Sequence, residues 1–241
     1  AAIGRKALGN ANSGTVKTVA IGASAGFNGD SDESIFIGFN AAGDGTKTSD
    51  SDGTIAIGKS ALNNLTSGIG NTAVGYEALK VEDDGDHNTA IGYQALVAQT
   101  GTSGTVANTA VGYKALDGIL TGGYNVAVGA NALGAASGAE GENVGIGYNA
   151  GINLNGGSNN IAIGSNTNFS TAAASNQIVI GKDAIGVDNN TVTLGNADVT
   201  AVYMAQDAGA AVYAGDITAN NMVTIESADI TLMRGSLHGL A

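Results

Sequence analysis

Three acidic stretches hold the side chains of this chain that are best suited to binding a metal ion. They are "DSDES" at residues 30 to 34, "DSDG" at 50 to 53 and "EDDGD" at 82 to 86. Carboxylates at alternate loop positions are typical of calcium sites, but no stretch completes an EF-hand or the glycine and aspartate nonapeptide of RTX proteins. The candidate calcium ligands are Asp30, Asp32, Asp50, Asp52, Asp83, Asp84 and Asp86. The favoured alternative is a set of solvated loops that keep the protein soluble, and no other cofactor is expected.

Aromatic and histidine side chains offer two further kinds of chemistry. Tyrosine directly follows a glycine at four equivalent points, which are Tyr76, Tyr93, Tyr113 and Tyr148. Stacked on one face, these rings would give a carbohydrate or another surface flat apolar area, or they would fill space between subunits. The only histidines are His87 and His238, which is sparse material for a histidine-based catalytic set, and we expect His87 to be solvated. An enzyme is therefore not expected.

Composition excludes several classes of function. The chain has 241 residues and a formal net charge of −12, which disfavours nucleic acid and anionic membranes as partners because phosphate binding needs a basic surface. Cysteine is absent, so disulfides and thiolate metal sites are excluded. No apolar run approaches the roughly 20 residues that cross a bilayer. Aromatic residues make up only 5 % and Trp is absent, so the core must consist of small aliphatic side chains.

A short repeated phrase must position all of these residues. "NTAIGYQAL" at 88 to 96 has near copies at 71 to 79 and 108 to 116, and the glycine of this phrase recurs twelve times at steps of 14 to 20 residues. This period is too short for helix-pair solenoids and predicts one coil of a β-solenoid per copy. Between Gly4 and Gly195, the anchor glycines are Gly22, Gly38, Gly58, Gly75, Gly92, Gly112, Gly129, Gly147, Gly164 and Gly181.

Each copy shows the alternation of a β-strand. Ile, Val or Leu precedes the anchor glycine in all twelve copies, and another β-branched residue stands two positions earlier in eleven. Ala lies between them in most copies, which predicts that an Ala column points to the opposite, outer face and packs there against a second surface. A further apolar pair, such as Ala78 and Leu79, is expected to form the other wall of a thin roll. The glycine is expected to mark a bend or a close backbone approach.

The predicted fold is all-β, a parallel β-solenoid of about twelve coils of about 17 residues over residues 1 to 195. Coils stacked at about 4.8 Å per layer would form a rod on the order of 50 Å long, with like residues above like. The Gly, Ser, Thr, Asn and Asp rich stretches between copies are expected to be surface turns. The repeat lapses after Gly195, so residues 196 to 241 are predicted to form a short β-rich cap or neck.

Several copies resemble a known family. "NTAIGYQAL", "NVAVGANAL" and "TIAIGKSAL" resemble the head repeats of trimeric autotransporter adhesins, the YadA-like family. The longer loops and the phrase "NTVTLGNADVTAVYM" are more similar to the related repeats in tail fibres of phages and phage-like particles. Over residues 1 to 205, the resemblance implies a left-handed β-roll that forms a homotrimer, in which the Ala column would pack against a neighbouring subunit.

These observations predict a non-enzymatic structural and adhesive module. We expect a homotrimeric fibre segment outside a bacterial cell or on a virion or phage-like tail fibre, whose loops meet a host-surface receptor or glycan. Neither nucleic acid binding nor membrane insertion is expected. The main rival is a monomeric solenoid, or a filament-forming one whose coils stack end to end between chains. A third class is a surface polysaccharide lyase or hydrolase on a β-helix, for which nine scattered basic residues are poor material.

Overall fold

The computed structural model describes residues 1–10, 17–28, 31–47, 51–100, 104–138, 141–200 and 202. Asp30, Asp50, His238 and nearly all of the predicted cap lie outside the described residues. The described residues up to Thr200 form one compact unit. Within the described part of the chain, no helix is long and apolar enough to span a membrane.

One continuous parallel sheet runs through the repeats. Its strands, and those of a smaller sheet, are β1 (Ala2–Ile3), β2 (Val19–Ile21), β3 (Ile35–Ile37), β4 (Ile55–Ile57), β5 (Thr72–Val74), β6 (Gly85–Asp86), β7 (Thr89–Ile91), β8 (Gly104–Thr105), β9 (Thr109–Val111), β10 (Val126–Val128), β11 (Val144–Ile146), β12 (Ile161–Ile163), β13 (Ile178–Ile180) and β14 (Val192–Leu194). Twelve of them pair in chain order, while β6 and β8 form a separate pair. The predicted all-β parallel solenoid is therefore confirmed, whereas its hand, its trimeric assembly and its cap stay predictions.

The register of the strands places like residues above like. Ala73 pairs with Ala90, Ala90 with Ala110 and Ala110 with Ala127, and the flanking aliphatic residues pair in the same way. Each coil therefore contributes one rung to every column, and no coil has a core of its own.

The assignment of the two sheet faces is the main correction to the sequence-based prediction. Ala73, Ala90 and Ala110 are fully buried, and the same holds at the central position of nearly every strand. By contrast Ile91 is 41 % exposed and Val128 38 % exposed. The Ala column thus lines the interior of the roll, and the β-branched columns point outward. The prediction that the Ala column faces outward is wrong.

The reason lies in the thickness of the roll. The opposite wall consists of the second apolar pair, as predicted, and Ala78, Leu79, Ala95 and Leu96 are all fully buried. Where Leu stands on the opposite wall, close packing leaves room for Ala in this column. The larger Phe36 fits the same column because Gly26 replaces Leu on the wall beside it. Side-chain size therefore selects Ala for the interior, although Ile is the more hydrophobic residue.

The anchor glycines are sites of close backbone approach, as predicted. Gly92 has φ +139°, and a Cβ there would overlap the carbonyl oxygen of Gly112 in the next coil. The same overlap recurs at Gly75 and Gly58. A side chain would therefore both strain the backbone and separate adjacent coils.

A buried amide ladder runs beside the sheet, just before each strand. Its members are Asn71, Asn88, Asn108, Asn125, Asn143 and Asn160, and all are buried. The backbone N–H of Asn125 donates to Oδ1 of Asn108 at 2.9 Å, and Nδ2 of Asn108 donates to the carbonyl of Gly122 at 2.7 Å. In an earlier coil, Oγ of Ser34 accepts from the N–H of Thr54 at 3.1 Å instead. The ladder satisfies polar backbone groups that would otherwise be unpaired inside the roll.

Candidate functional site

The outer face of the large sheet is an uncharged apolar strip. Every outward position from β2 to β14 of that sheet holds Ile, Val, Leu or Thr. Twelve strands at about 4.8 Å spacing make this strip roughly 50 Å long. Its area, on the order of 500 Å², reaches the upper range of the largest apolar patches on ordinary monomers, which often mark interaction sites. We call this surface the outer strip.

Three of the four predicted tyrosines stack. The ring centroids of Tyr76 and Tyr93 are 5.1 Å apart with planes inclined by 7°, and those of Tyr93 and Tyr113 are 5.3 Å apart at 12°. All three side chains remain exposed to solvent. Because the rings cover one another's faces, the stack presents mainly ring edges, which reduces the flat apolar area expected from the sequence.

The fourth tyrosine is separated from the stack by one coil. The N–H of Asn131 donates to the carbonyl of Tyr113 at 2.9 Å, and the N–H of Asn149 donates to that of Ala130 at 3.0 Å. This register places Ala130 between Tyr113 and Tyr148 in the column. The missing ring at Ala130 breaks the predicted four-ring ladder, and Tyr113 and Tyr148 are the most exposed of the four, at 51 % and 53 %.

Two of the described acidic candidates lie in neighbouring coils without forming a cluster. The N–H of Asp32 donates to Oδ1 of Asp52 at 2.6 Å. Within the described residues, neither belongs to a group of three carboxylates. Asp86 is also separate, because its Oδ1 accepts from the N–H of Ile69 at 2.8 Å.

The third acidic stretch does bring carboxylates together. One carboxylate oxygen each from Glu82, Asp83 and Asp84 lies within 4.8 Å of the others. Oε1 of Glu82 accepts three backbone N–H groups, from Asp83 at 3.0 Å, Asp84 at 3.1 Å and Gly85 at 2.7 Å. The carboxylate of Glu82 thus organises the turn that carries the two aspartates. We call these three residues the acidic cluster.

Burial and nearby carboxylates raise the pKa values of Glu82 and Asp84. Burial raises the pKa of Glu82, although its three backbone N–H donors oppose that shift, and the charge of Asp83 adds to it. Burial also raises the pKa of Asp84, with further contributions from Asp83 and Asp86. Both shifts mark carboxylates whose negative charge is poorly compensated within the chain.

Sequence reasoning identified Asp83 and Asp84 but missed Glu82. Glu82 is one of the four carboxylates of "EDDGD", but only Asp83, Asp84 and Asp86 of this stretch are predicted as ligands. Nothing in the sequence marks it as fully buried, since Glu is rarely buried without a partner. The other described residue with predicted chemistry, His87, is exposed in its loop as expected.

A charged side chain, Lys47, is also buried in the loop between β3 and β4. The Nζ of Lys47 donates to the carbonyls of Ala42 at 2.5 Å and Gly45 at 3.1 Å. Burial lowers the pKa of Lys47 to about 8, although the charge of Asp44 opposes the shift. Lys47 therefore fastens a loop by hydrogen bonds to main-chain carbonyls, and it is too enclosed to serve a large ligand.

Comparisons of this chain with known protein families, with curated proteins and with solved structures give no match.

Proposed function

We propose that this chain is a segment of a structural and adhesive fibre, exposed on a bacterial cell surface or on a phage or phage-like tail fibre. In this role the stacked coils hold a contact region away from a base, and the chain assembles with copies of itself. The observation that carries the proposal is the outer strip, which is long, straight in register and uncharged on a chain with a net charge of −12. Chemistry plays no part in the proposed role.

The outer strip supports assembly because it is costly to leave in water. Burial of apolar surface contributes roughly 25 cal/mol per Å², so covering a strip of this size offsets a substantial part of the entropy lost on association. A second copy of the chain is the natural cover, since an identical strip matches its length and its layer spacing. The resemblance to trimeric adhesin heads implies that three copies of the chain assemble.

The columns support the role of a rigid spacer. Anchor glycines recur in every coil, the Ala column recurs in most coils, and the amide ladder runs from Asn71 to Asn160. Backbone pairing therefore fixes each coil to the next, and buried side-chain hydrogen bonds add to it along the ladder. Such quasi-one-dimensional repeats transmit their stiffness from neighbour to neighbour. A spacer needs this property, whereas a hydrolase needs a cleft.

The mass of the native particle tests the assembly. Light scattering over a wide range of concentrations should give a constant mass of three times the chain mass of 23.5 kDa. A constant mass of one chain would contradict the assembly. A mass that grows with concentration would instead support the rival filament.

A variant locates the contact. Ile91→Lys combined with Val128→Lys places two charges on the outer strip, and we expect the mass to fall to that of one chain while the circular dichroism signal of the sheet persists. Glu142→Lys is the matched control, because it places a lysine on an exposed loop, and its mass should equal that of the wild type. If the double variant keeps the full mass, the outer strip is not the contact.

The adhesive part of the proposal rests on the exposed tyrosines and the variable loops. The gap at Ala130 leaves ring faces of Tyr113 and Tyr148 uncovered by a neighbouring ring, and aromatic faces suit the apolar faces of sugars. Retention on cellulose or agarose should therefore decrease in Ala130→Tyr, which closes the gap. Unchanged retention of this variant would remove Tyr113 and Tyr148 from the adhesive surface.

A further inference from the structure

We propose that Glu82, Asp83 and Asp84 form a calcium site that fixes one loop of the solenoid. The proposal concerns a loop rather than the outer strip, so it stands independently of the fibre function. It also assigns a ligand, Glu82, that alternating aspartates alone would not select. Support comes from two buried carboxylate oxygens without hydrogen-bond partners and from the short distances between the three carboxylates.

Two carboxylate oxygens in the cluster are buried without a hydrogen-bond partner. They are Oε2 of Glu82, in a side chain that is fully buried, and Oδ1 of Asp84. A buried acceptor that is left unpaired is costly, and more so when it carries charge. Oε1 of Glu82 accepts three N–H groups, whereas no donor among the described residues satisfies Oε2. A cation supplies what both oxygens lack.

The arrangement of the three carboxylates suits one shared ion. Their nearest oxygens lie within 4.8 Å of one another, a spread that ligands about 2.4 Å from a common calcium ion can span. Calcium accepts carboxylate oxygens in irregular arrangements and completes its shell with water. Magnesium requires shorter bonds and near-octahedral geometry, which makes it the useful comparison ion.

Among the described residues, no ion pair joins a lysine, arginine or histidine to this cluster. Burial and the charge of Asp83 raise the pKa of Glu82, and burial, Asp83 and Asp86 raise the pKa of Asp84. Among the described ion pairs, the nearest in sequence joins Lys80 to Glu77 at 2.9 Å, so that ammonium is engaged elsewhere. A divalent cation is therefore the partner that matches the charge of this loop.

The loop is held in place from both sides before any ion binds. The carbonyl of Asp83 accepts from the N–H of Thr66 at 2.8 Å and the N–H of Ser67 at 3.0 Å in the preceding coil. Directly after the cluster, Gly85 and Asp86 pair in parallel with Gly104 and Thr105 of the following coil. This fixed backbone lowers the ordering cost of binding, which is the benefit of preorganisation.

An ion has a route to the site from solvent. Asp83 is exposed, and it lines a surface groove together with Asp44, Asn64 and Thr66. The second acidic residue of the groove, Asp44, adds to the negative potential along this route. The site thus meets the requirement of an entry path as well as that of suitable ligands.

Calorimetric titration of the full chain with CaCl₂, after removal of metals with EDTA, tests the proposal. We expect one calcium ion per chain, with a Kd of roughly 10⁻⁴ to 10⁻³ M as in extracellular calcium modules. The same titration with MgCl₂ should show at least about tenfold weaker binding. Calcium at about ten times its Kd should raise Tm by about 3 to 6 °C.

Two variants and a control assign any binding to this cluster. Asp84→Asn and Glu82→Gln should each weaken calcium binding by about tenfold or more, because each removes one charged ligand. Glu142→Gln, in an exposed loop, should bind calcium as the wild type does. The calcium titration of the wild type tests the proposal even if Glu82→Gln fails to fold.

Several results would overturn the proposal. One is no calcium binding by the wild type up to about 10 mM CaCl₂, which is about tenfold above the upper end of the expected Kd range. Binding that survives in Asp84→Asn is another, because the ion would then lie elsewhere. In the first case a proton on Glu82, whose pKa burial raises, would neutralise the buried carboxyl without an ion.

Discussion

The two faces of the large sheet carry opposite kinds of side chain in neighbouring positions of one strand. Ala90 lies inside the roll and is fully buried, whereas Ile91, the next residue, points outward and is 41 % exposed. The smaller and less hydrophobic residue is inside because the second wall, with Leu79 and Leu96, stands close to it. In a thin solenoid, volume decides which residues are buried within the chain, and hydrophobicity that remains outside is available for contacts between chains.

The largest loss of stability should come from replacing a small interior residue with a large one. Ala90→Ile adds three carbon atoms between two walls that already touch, and we expect it to lower the free energy of unfolding by about 3 kcal/mol. Urea denaturation measures this change. The neighbouring variant Ile91→Ala is the matched control, expected to cost about 1 kcal/mol or less in a single chain. The opposite order of the two effects would mean that the faces are exchanged.

A polar interior residue should rank next. Asn108→Ala leaves the N–H of Asn125 and the carbonyl of Gly122 without their side-chain partner, so it should lower the free energy of unfolding by about 2 to 3 kcal/mol. Asn10 also bonds a like residue in the next coil, Asn28, at 2.9 Å, but in an exposed position. Asn10→Ala should therefore cost about 0.5 kcal/mol or less. Equal losses of unfolding free energy in the two variants would show that water reaches the amide ladder.

The buried ammonium of Lys47 makes stability depend on pH in the alkaline range. Its pKa is about 8 in the folded chain and 10.5 in the unfolded chain, so between these values the unfolded chain binds more protons. Stability should therefore rise with pH from about 8 to 10.5, by about 2 kcal/mol. Brief denaturation series at several pH values would measure this. The stability of Lys47→Met should not change over the same pH range. A wild-type stability that falls with pH there would contradict the buried charge.

The aromatic stack outside the roll should have the smallest effect of these four. Tyr93→Ala removes two ring contacts, at 5.1 and 5.3 Å, and should cost about 1 kcal/mol. Tyr148→Ala, at the position isolated by Ala130, should cost less than half as much. The same denaturation series compares them, and equal losses would mean that stacking contributes little.

Much of the fold can be predicted from the sequence because each coil repeats the same local pattern of residues. The anchor glycines, the strand positions before them and the second wall at Ala78 and Leu79 all lie where the period predicts. The period does not assign the faces. Alternation places Ala90 and Ile91 on opposite faces of the sheet, but it does not say which face points into the roll. Only the distance to the opposite wall decides that.

The candidate sites were less predictable for a similar reason. Asp83 and Asp84 are visible as an acidic stretch, but the burial of Glu82 depends on neighbouring coils whose loops vary in length. The break in the tyrosine stack could be read from Ala130 in the sequence. The remaining rings cover one another's faces, which only the orientation of the rings in the structure shows.

The most direct test of the account asks whether the outer strip is covered in the native particle. The chain has no cysteine, so Ile91→Cys and Lys182→Cys each provide a single thiol, the second at a side chain that is 79 % exposed. If copies of the chain cover the outer strip, a maleimide should label Ile91→Cys at least about tenfold more slowly than Lys182→Cys. Equal labelling rates, in particles that retain their native mass, would show that the strip faces solvent and would contradict the proposed assembly.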